Sequence, residues 1–135
     1  MHTHIDKNIL KRAYIATPHI AGYSVQSKIR GIDMIYKSVC EAGLLPVKPI
    51  VPIVMPKQHL EMQGKHSWQE IVLGVFNPLV ITEMMRTLLL PDENHGMTFD
   101  EMRNQFNYRH ELAYTHIADA VLTESDARLL EKLVT

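Results

Sequence analysis

One histidine stands out as a candidate for acid-base chemistry. His19 lies in the run Ala16-Thr-Pro-His-Ile-Ala-Gly-Tyr23, which leads at once into Ser-Val-Gln-Ser-Lys-Ile-Arg-Gly31. An imidazole titrates near neutrality, so it can take the proton of a hydroxyl whose carbon gives up hydride, or return it in the reverse direction. That work needs a carboxylate to hold the ring's tautomer and a cation, usually arginine, to orient a substrate carboxylate. Taken alone, a histidine on a loop is more often structural or merely exposed.

Other residues carry weaker signals. His2, His4, His59 and His66 have no spacing diagnostic of zinc, so no metal site is expected. His110 and His116 read as decoration of a surface or strand, and Glu111 as part of a solvated face. Lys28 and Arg30 follow the His19 turn closely enough to approach a phosphate, but a solvated helix face accounts for them equally well. The eight methionines read as core filler. Trp68 and Phe76 suit an apolar core, either shared with a partner subunit or the monomer's own.

The elements that must position His19 fit in 135 residues, enough for one modest domain or a small domain with a piece of another attached. Charges nearly cancel, 14 Lys and Arg against 15 Asp and Glu, so nothing calls for a nucleic-acid or membrane partner. A single cysteine, Cys40, rules out an intrachain disulfide framework, and no apolar run approaches a membrane span. With no signal-peptide pattern at Met1-His-Thr-His-Ile-Asp-Lys, the expected location is the cytoplasm.

Ala13 to Ala16 reads as a strand stopped by Thr17-Pro18. From Ser24 to Ala42, Val25, Ile29, Ile32, Tyr36 and Val39 recur at helical spacing, and Gly43 supplies the stop. Residues 45–56 hold four prolines and read as an extended linker. Beyond it, Gln58 to Gln63 is a strand candidate, and Ser67 and Thr98 each open a helix with a capping-box pattern. Asn77-Pro78 interrupts the first of those helices, and a further helix runs through Ile81 to Leu88. Leu112 to Ile117 alternates as a strand, and Thr123 opens a last helix. The expected fold class is α+β. Two strands alone leave edges unpaired, and pairing with a second copy would cover them.

The run Thr17-Pro-His-Ile-Ala-Gly-Tyr23 with Ser-Lys-Ile-Arg-Gly31 resembles the C-terminal signature of the D-isomer-specific 2-hydroxyacid dehydrogenases. The likeness continues through Leu60-Glu-Met-Gln-Gly64, the helix from Ser67 to Phe76, Thr98-Phe-Asp-Glu-Met-Arg103 and Arg109-His-Glu-Leu-Ala-Tyr114. It implies that His19 is the catalytic acid/base, that NAD is the oxidant, and that 4-phosphoerythronate is the substrate on a route to pyridoxal phosphate. It also implies three parts. Residues 1–42 would be the end of a Rossmann-type nucleotide domain with its connecting helix, 43–57 a Pro-rich linker, and 58–135 a small two-layer dimerisation domain forming a homodimer.

The family's Gly-rich fingerprint, ribose-binding carboxylate, substrate-orienting arginine and histidine-paired carboxylate all lie upstream of the signature and have no counterpart here. The glycines, at 22, 31, 43, 64, 74 and 96, include no pair two apart, so no cofactor-binding residue is assigned. The chain is therefore expected to be the C-terminal part of such an enzyme and inactive alone, with an N-terminal segment left without support. Two other readings stay open: a non-catalytic homodimeric interaction module descended from the enzyme, and a small independent enzyme pairing His19 with Glu or Asp from the second part.

Overall fold

The computed structural model describes residues 5–47, 54–91 and 98–134. Helix and strand are mixed, as an α+β reading requires. Six α-helices are described: α1 (Lys7–Arg12), α2 (Val25–Glu41), α3 (Trp68–Val75), α4 (Pro78–Leu89), α5 (Phe99–Asn104) and α6 (Glu124–Val134). Strands β1 (Gln58–Lys65) and β2 (Thr115–Val121) pair in parallel, and a 3₁₀ turn over Leu112–Tyr114 leads into β2. The middle of the Pro-rich linker, residues 48–53, lies outside the described residues, as do His2 and His4.

Local chemistry explains where the helices begin and end. Ser24 caps α2 by accepting from the Ser27 N–H at 2.9 Å. At the far end, Gly43 takes φ +71° while Leu44 N–H reaches Val39 O at 3.1 Å and Gly43 N–H reaches Cys40 O at 2.9 Å. This left-handed stop suits a residue without a Cβ. Both expected capping boxes form: Glu70 accepts from Ser67 N–H and Glu101 from Thr98 N–H, each at 2.7 Å. Asn77 caps α4, whose first residue is Pro78, where a missing N–H costs nothing.

The expected strand over Ala13–Ala16 does not form. Backbone groups there are satisfied by α4 side chains instead of a ladder. Buried Thr82 accepts from Ala16 N–H at 2.9 Å and shares its own proton between Ala16 O and Pro78 O. Arg86 donates to Ala13 O at 2.5 Å and to Leu10 O at 3.4 Å. The N-terminal segment is consequently supported, contrary to the sequence expectation. Leu10 joins Met85, Phe99 and Met102 in the main apolar cluster, with Ile81, Met84 and Leu88 packed around it.

The sheet packs against α3. Gln58 to Glu61 pair in register with Thr115 to Ala118, then the register shifts before Gly64 meets Ala120. At this bulge Gly64 takes φ +98° and Asp119 φ +61°. The inner face carries half-buried Leu60 and Met62 toward α3, whose Ile71 is fully buried. α6 packs against α3 and the 3₁₀ turn. α2, in contrast, leaves Ile32, Met34 and Ile35 exposed.

Candidate active site

The turn bearing His19 is fixed by its neighbours. Pro18 and Ile20 are buried on either side, while the imidazole is exposed at φ +54°, a conformation uncommon outside glycine. His19 N–H donates to Thr17 O at 3.0 Å, and Tyr23 N–H to Ile20 O at 3.0 Å. The ring stands edge-on to Phe99, with centroids 5.4 Å apart. Thr82, holding Ala16 just upstream, ties this turn to α4.

Downstream, Tyr23 is the focus of an aromatic and cationic cluster. Tyr108 lies 5.4 Å from its ring and Phe106 6.4 Å. Lys28 Nζ sits 4.5 Å from the ring centroid and the Arg103 guanidinium 5.3 Å. Arg109 joins through its backbone: its N–H donates to Tyr23 O at 3.2 Å and its carbonyl accepts from Val25 N–H at 3.0 Å. Its Nη2 donates to Ala21 O at 3.3 Å, and its guanidinium stacks over Phe76 at 4.8 Å. The Nε atoms of both Arg103 and Arg109 are buried with no hydrogen-bond partner among the described residues. No carboxylate of those residues forms an ion pair with Lys28, Arg103 or Arg109. Three cations thus gather near the His19 turn, none of them neutralised by a carboxylate among the described residues.

Arg30 differs. It is paired with Glu111, which also accepts from Ser24 at 2.5 Å and Ser27 at 2.9 Å. The Arg30 hydrogen bond, together with those from the two serines, outweighs desolvation and lowers the Glu111 carboxyl to about 2. The same partner raises Arg30. Buried Gln26 extends the network: its Oε1 accepts from Glu111 N–H at 3.2 Å, and its amide donates to Pro56 O at 2.7 Å and to His110 Nδ1 at 2.9 Å. A donor amide there requires the acceptor tautomer at Nδ1.

Of the two basic residues flagged in sequence, Lys28 reaches the cluster and Arg30 does not. Arg103 and Arg109 were missed, because one reads as the polar edge of a short helix and the other as part of a loop. Their proximity to Tyr23 depends on the parallel bridge between Ser24 and Arg109, which no local pattern announces. Glu111 is half-buried and not merely solvated. It is committed to Arg30 and the two serines, and no carboxylate among the described residues hydrogen-bonds His19.

No family model matches the chain. Curated relatives do. One from Shewanella denitrificans is 30% identical over 111 residues, covering 78% of this chain and 29% of its own length. One from Porphyromonas gingivalis is 29% identical over 135 residues, covering 93% and 33%, and one from Legionella pneumophila (strain Lens) is 25% identical over 118 residues, covering 87% and 32%. All three carry one name. The chain is a relative of the erythronate-4-phosphate dehydrogenases. It spans about a third of the length of these dehydrogenases. Their shared name supports a dehydrogenase-family origin.

Among the described residues, no single helix is long and apolar enough to cross a membrane.

Proposed function

We propose that the chain is the C-terminal part of a cytoplasmic, NAD-dependent 4-phosphoerythronate dehydrogenase acting in pyridoxal phosphate synthesis. His19 serves as acid/base, and residues 58–135 pair with a second copy. The observation that carries this reading is the gathering of Lys28 and Arg103 over Tyr23, with the Arg109 guanidinium on Ala21 O and Phe76, along the turn that carries exposed His19. A substrate with a carboxylate at one end and a phosphate at the other is anionic throughout. Cations that no described carboxylate neutralises attract such a molecule and orient it.

Oxidation of a 2-hydroxy acid removes a proton from the hydroxyl oxygen and a hydride from the carbon that bears it. His19 would accept the proton at a ring nitrogen, its edge contact with Phe99 limiting how far the ring swings. NAD, when bound to an intact enzyme, supplies the hydride acceptor. The residues of this chain do not fit the dinucleotide. A pyrophosphate needs free N–H groups at a helix start, yet after β1 the Glu70 N–H donates to the Ser67 hydroxyl and the Ser67 N–H to the Glu70 carboxylate, and after β2 the first turn of α6 carries Glu124 and Asp126. The cofactor and the carboxylate partner of His19 are therefore assigned to the part of the relatives' length that this sequence does not span.

The test supplies that portion in trans. The upstream two-thirds of a relative, mixed with this chain, is expected to produce NADH from 4-phosphoerythronate at a rate that collapses with His19→Ala. Equal rates with wild-type and His19→Ala chains would sink the catalytic assignment. The exposed Ile32, Met34 and Ile35 of α2 favour the alternative of a non-catalytic assembly module. That reading requires the pair to associate while His19→Ala changes nothing.

A further inference from the structure

The parallel register sets His59 directly opposite His116. Side chains alternate along a strand, so both imidazoles leave the same face of the sheet, and both are exposed. The neighbouring pair, Gln58 and Thr115, points the other way and is joined by a 2.9 Å hydrogen bond on the inner face. The two rings have centroids 5.1 Å apart and planes inclined at 67°. Neither ring takes part in a hydrogen bond or ion pair with any described residue.

We propose that His59 and His116 form a cross-strand chelate for a late first-row divalent cation such as Ni²⁺ or Zn²⁺. Imidazole nitrogen is a favoured ligand for these ions. Two imidazoles bound at ~2.0–2.1 Å to one tetrahedral ion hold their centroids about 5 Å apart, the separation already present between these rings. Little rearrangement is needed, and the exposed face gives the ion an open path. Among the described residues no cluster of three His, Cys, Asp or Glu side chains is placed to hold a metal. The ion is accordingly held by two protein ligands, with its remaining positions open to solvent or to a small molecule. Its structural effect is to tie β1 to β2 across partners 57 residues apart in sequence, as the inner-face Gln58–Thr115 bond does. The pairing of His59 with His66, the nearer choice in sequence, is not made. His66 turns to Gln63 O and Glu70 instead.

NiCl₂ titrated into the whole chain, followed calorimetrically, is expected to show saturable one-to-one binding. His59→Ala and His116→Ala should each weaken it about tenfold or more, while His66→Ala and a His2→Ala/His4→Ala double variant leave it unchanged. Because both sheet histidines are exposed, the metal-free variants should keep the wild-type melting temperature, which separates lost ligands from lost fold. Absence of saturation up to about 1 mM metal, or binding that disappears with His66 or with His2 and His4, overturns the proposal.

Discussion

Arg30 Nη2 lies 2.5 and 2.7 Å from the two carboxylate oxygens of Glu111, joining the second turn of α2 to the segment before β2. Glu111 also binds both serines of the first turn, so one carboxylate organises the start of the helix that follows the His19 turn. Its carboxyl is lowered to about 2 from 4.5. A depressed carboxyl contributes stability above its unfolded-state value, and that contribution is lost as pH falls through the folded one. Melting temperature should therefore decline between pH ~5 and ~2, with a shallower acid limb in Glu111→Gln. At neutral pH the same variant should lose about 1–2 kcal/mol, Arg30 being partly exposed. An unchanged acid limb in the variant would mean that Glu111 is not the group responsible.

Thr82 is buried on α4 and bonds both backbone groups of Ala16. Thr82→Val keeps the shape but orphans the Ala16 N–H, at an expected cost of about 1–3 kcal/mol. Thr82→Ser should recover most of it. Amide hydrogen exchange at Ala16 gives the sharper reading. Its protection should fall in Thr82→Val and persist in Thr82→Ser, whereas equal protection in both would assign the anchoring to something else.

Two glycines allow opposite expectations. Gly64, at φ +98°, has nothing within 4 Å of an added Cβ, so Gly64→Ala pays for backbone strain alone, about 1–2 kcal/mol. Gly74 lies within helix α3, where a Cβ would meet Met62 Sδ at 3.0 Å and Leu60 Cδ2 at 3.4 Å. Methionine is flexible and alanine favours helix, so Gly74→Ala should change stability by less than about 1 kcal/mol. Gly74→Leu should be far worse. Urea denaturation of the three variants checks the order.

The cationic cluster has an ionic signature. Under the proposed function, 4-phosphoerythronate should bind the complex of this chain with the upstream two-thirds of a relative with an affinity that falls as salt rises, and Arg103→Gln should weaken it about tenfold. Arg30→Gln, removing a cation already neutralised by Glu111, should have a much smaller effect. Comparable losses in the two variants, measured calorimetrically at two salt concentrations, would show that overall charge and not the Tyr23 cluster governs binding.

Elements specified by adjacent residues were legible from sequence. Ser24 and Gly43 bracket α2, Ser67 with Glu70 and Thr98 with Glu101 start their helices, and Asn77-Pro78 divides α3 from α4. The failure at Ala13–Ala16 has a different origin. Its residues suit a strand, but a strand exists only with a partner, and here Thr82 and Arg86 take the backbone groups. Leu112–Tyr114, read as the beginning of a strand, forms a 3₁₀ turn, and β2 continues to Val121. Within the candidate site, His19 was visible because its turn is local. Arg103, Arg109 and the burial of Glu111 were not, since they depend on approaches across eighty residues or more.

The 57-residue separation between Gln58 and Thr115 also governs when the sheet can exist. A ribosome adding roughly 5–20 residues per second needs about 3–11 s to make that interval, and β1 has no partner strand meanwhile. Its unpaired backbone is then available to a neighbouring nascent chain, so crowding of ribosomes on the message would favour aggregation through this edge. Helices α3 and α4 can form within the same interval, leaving β2 as the late step that closes the fold.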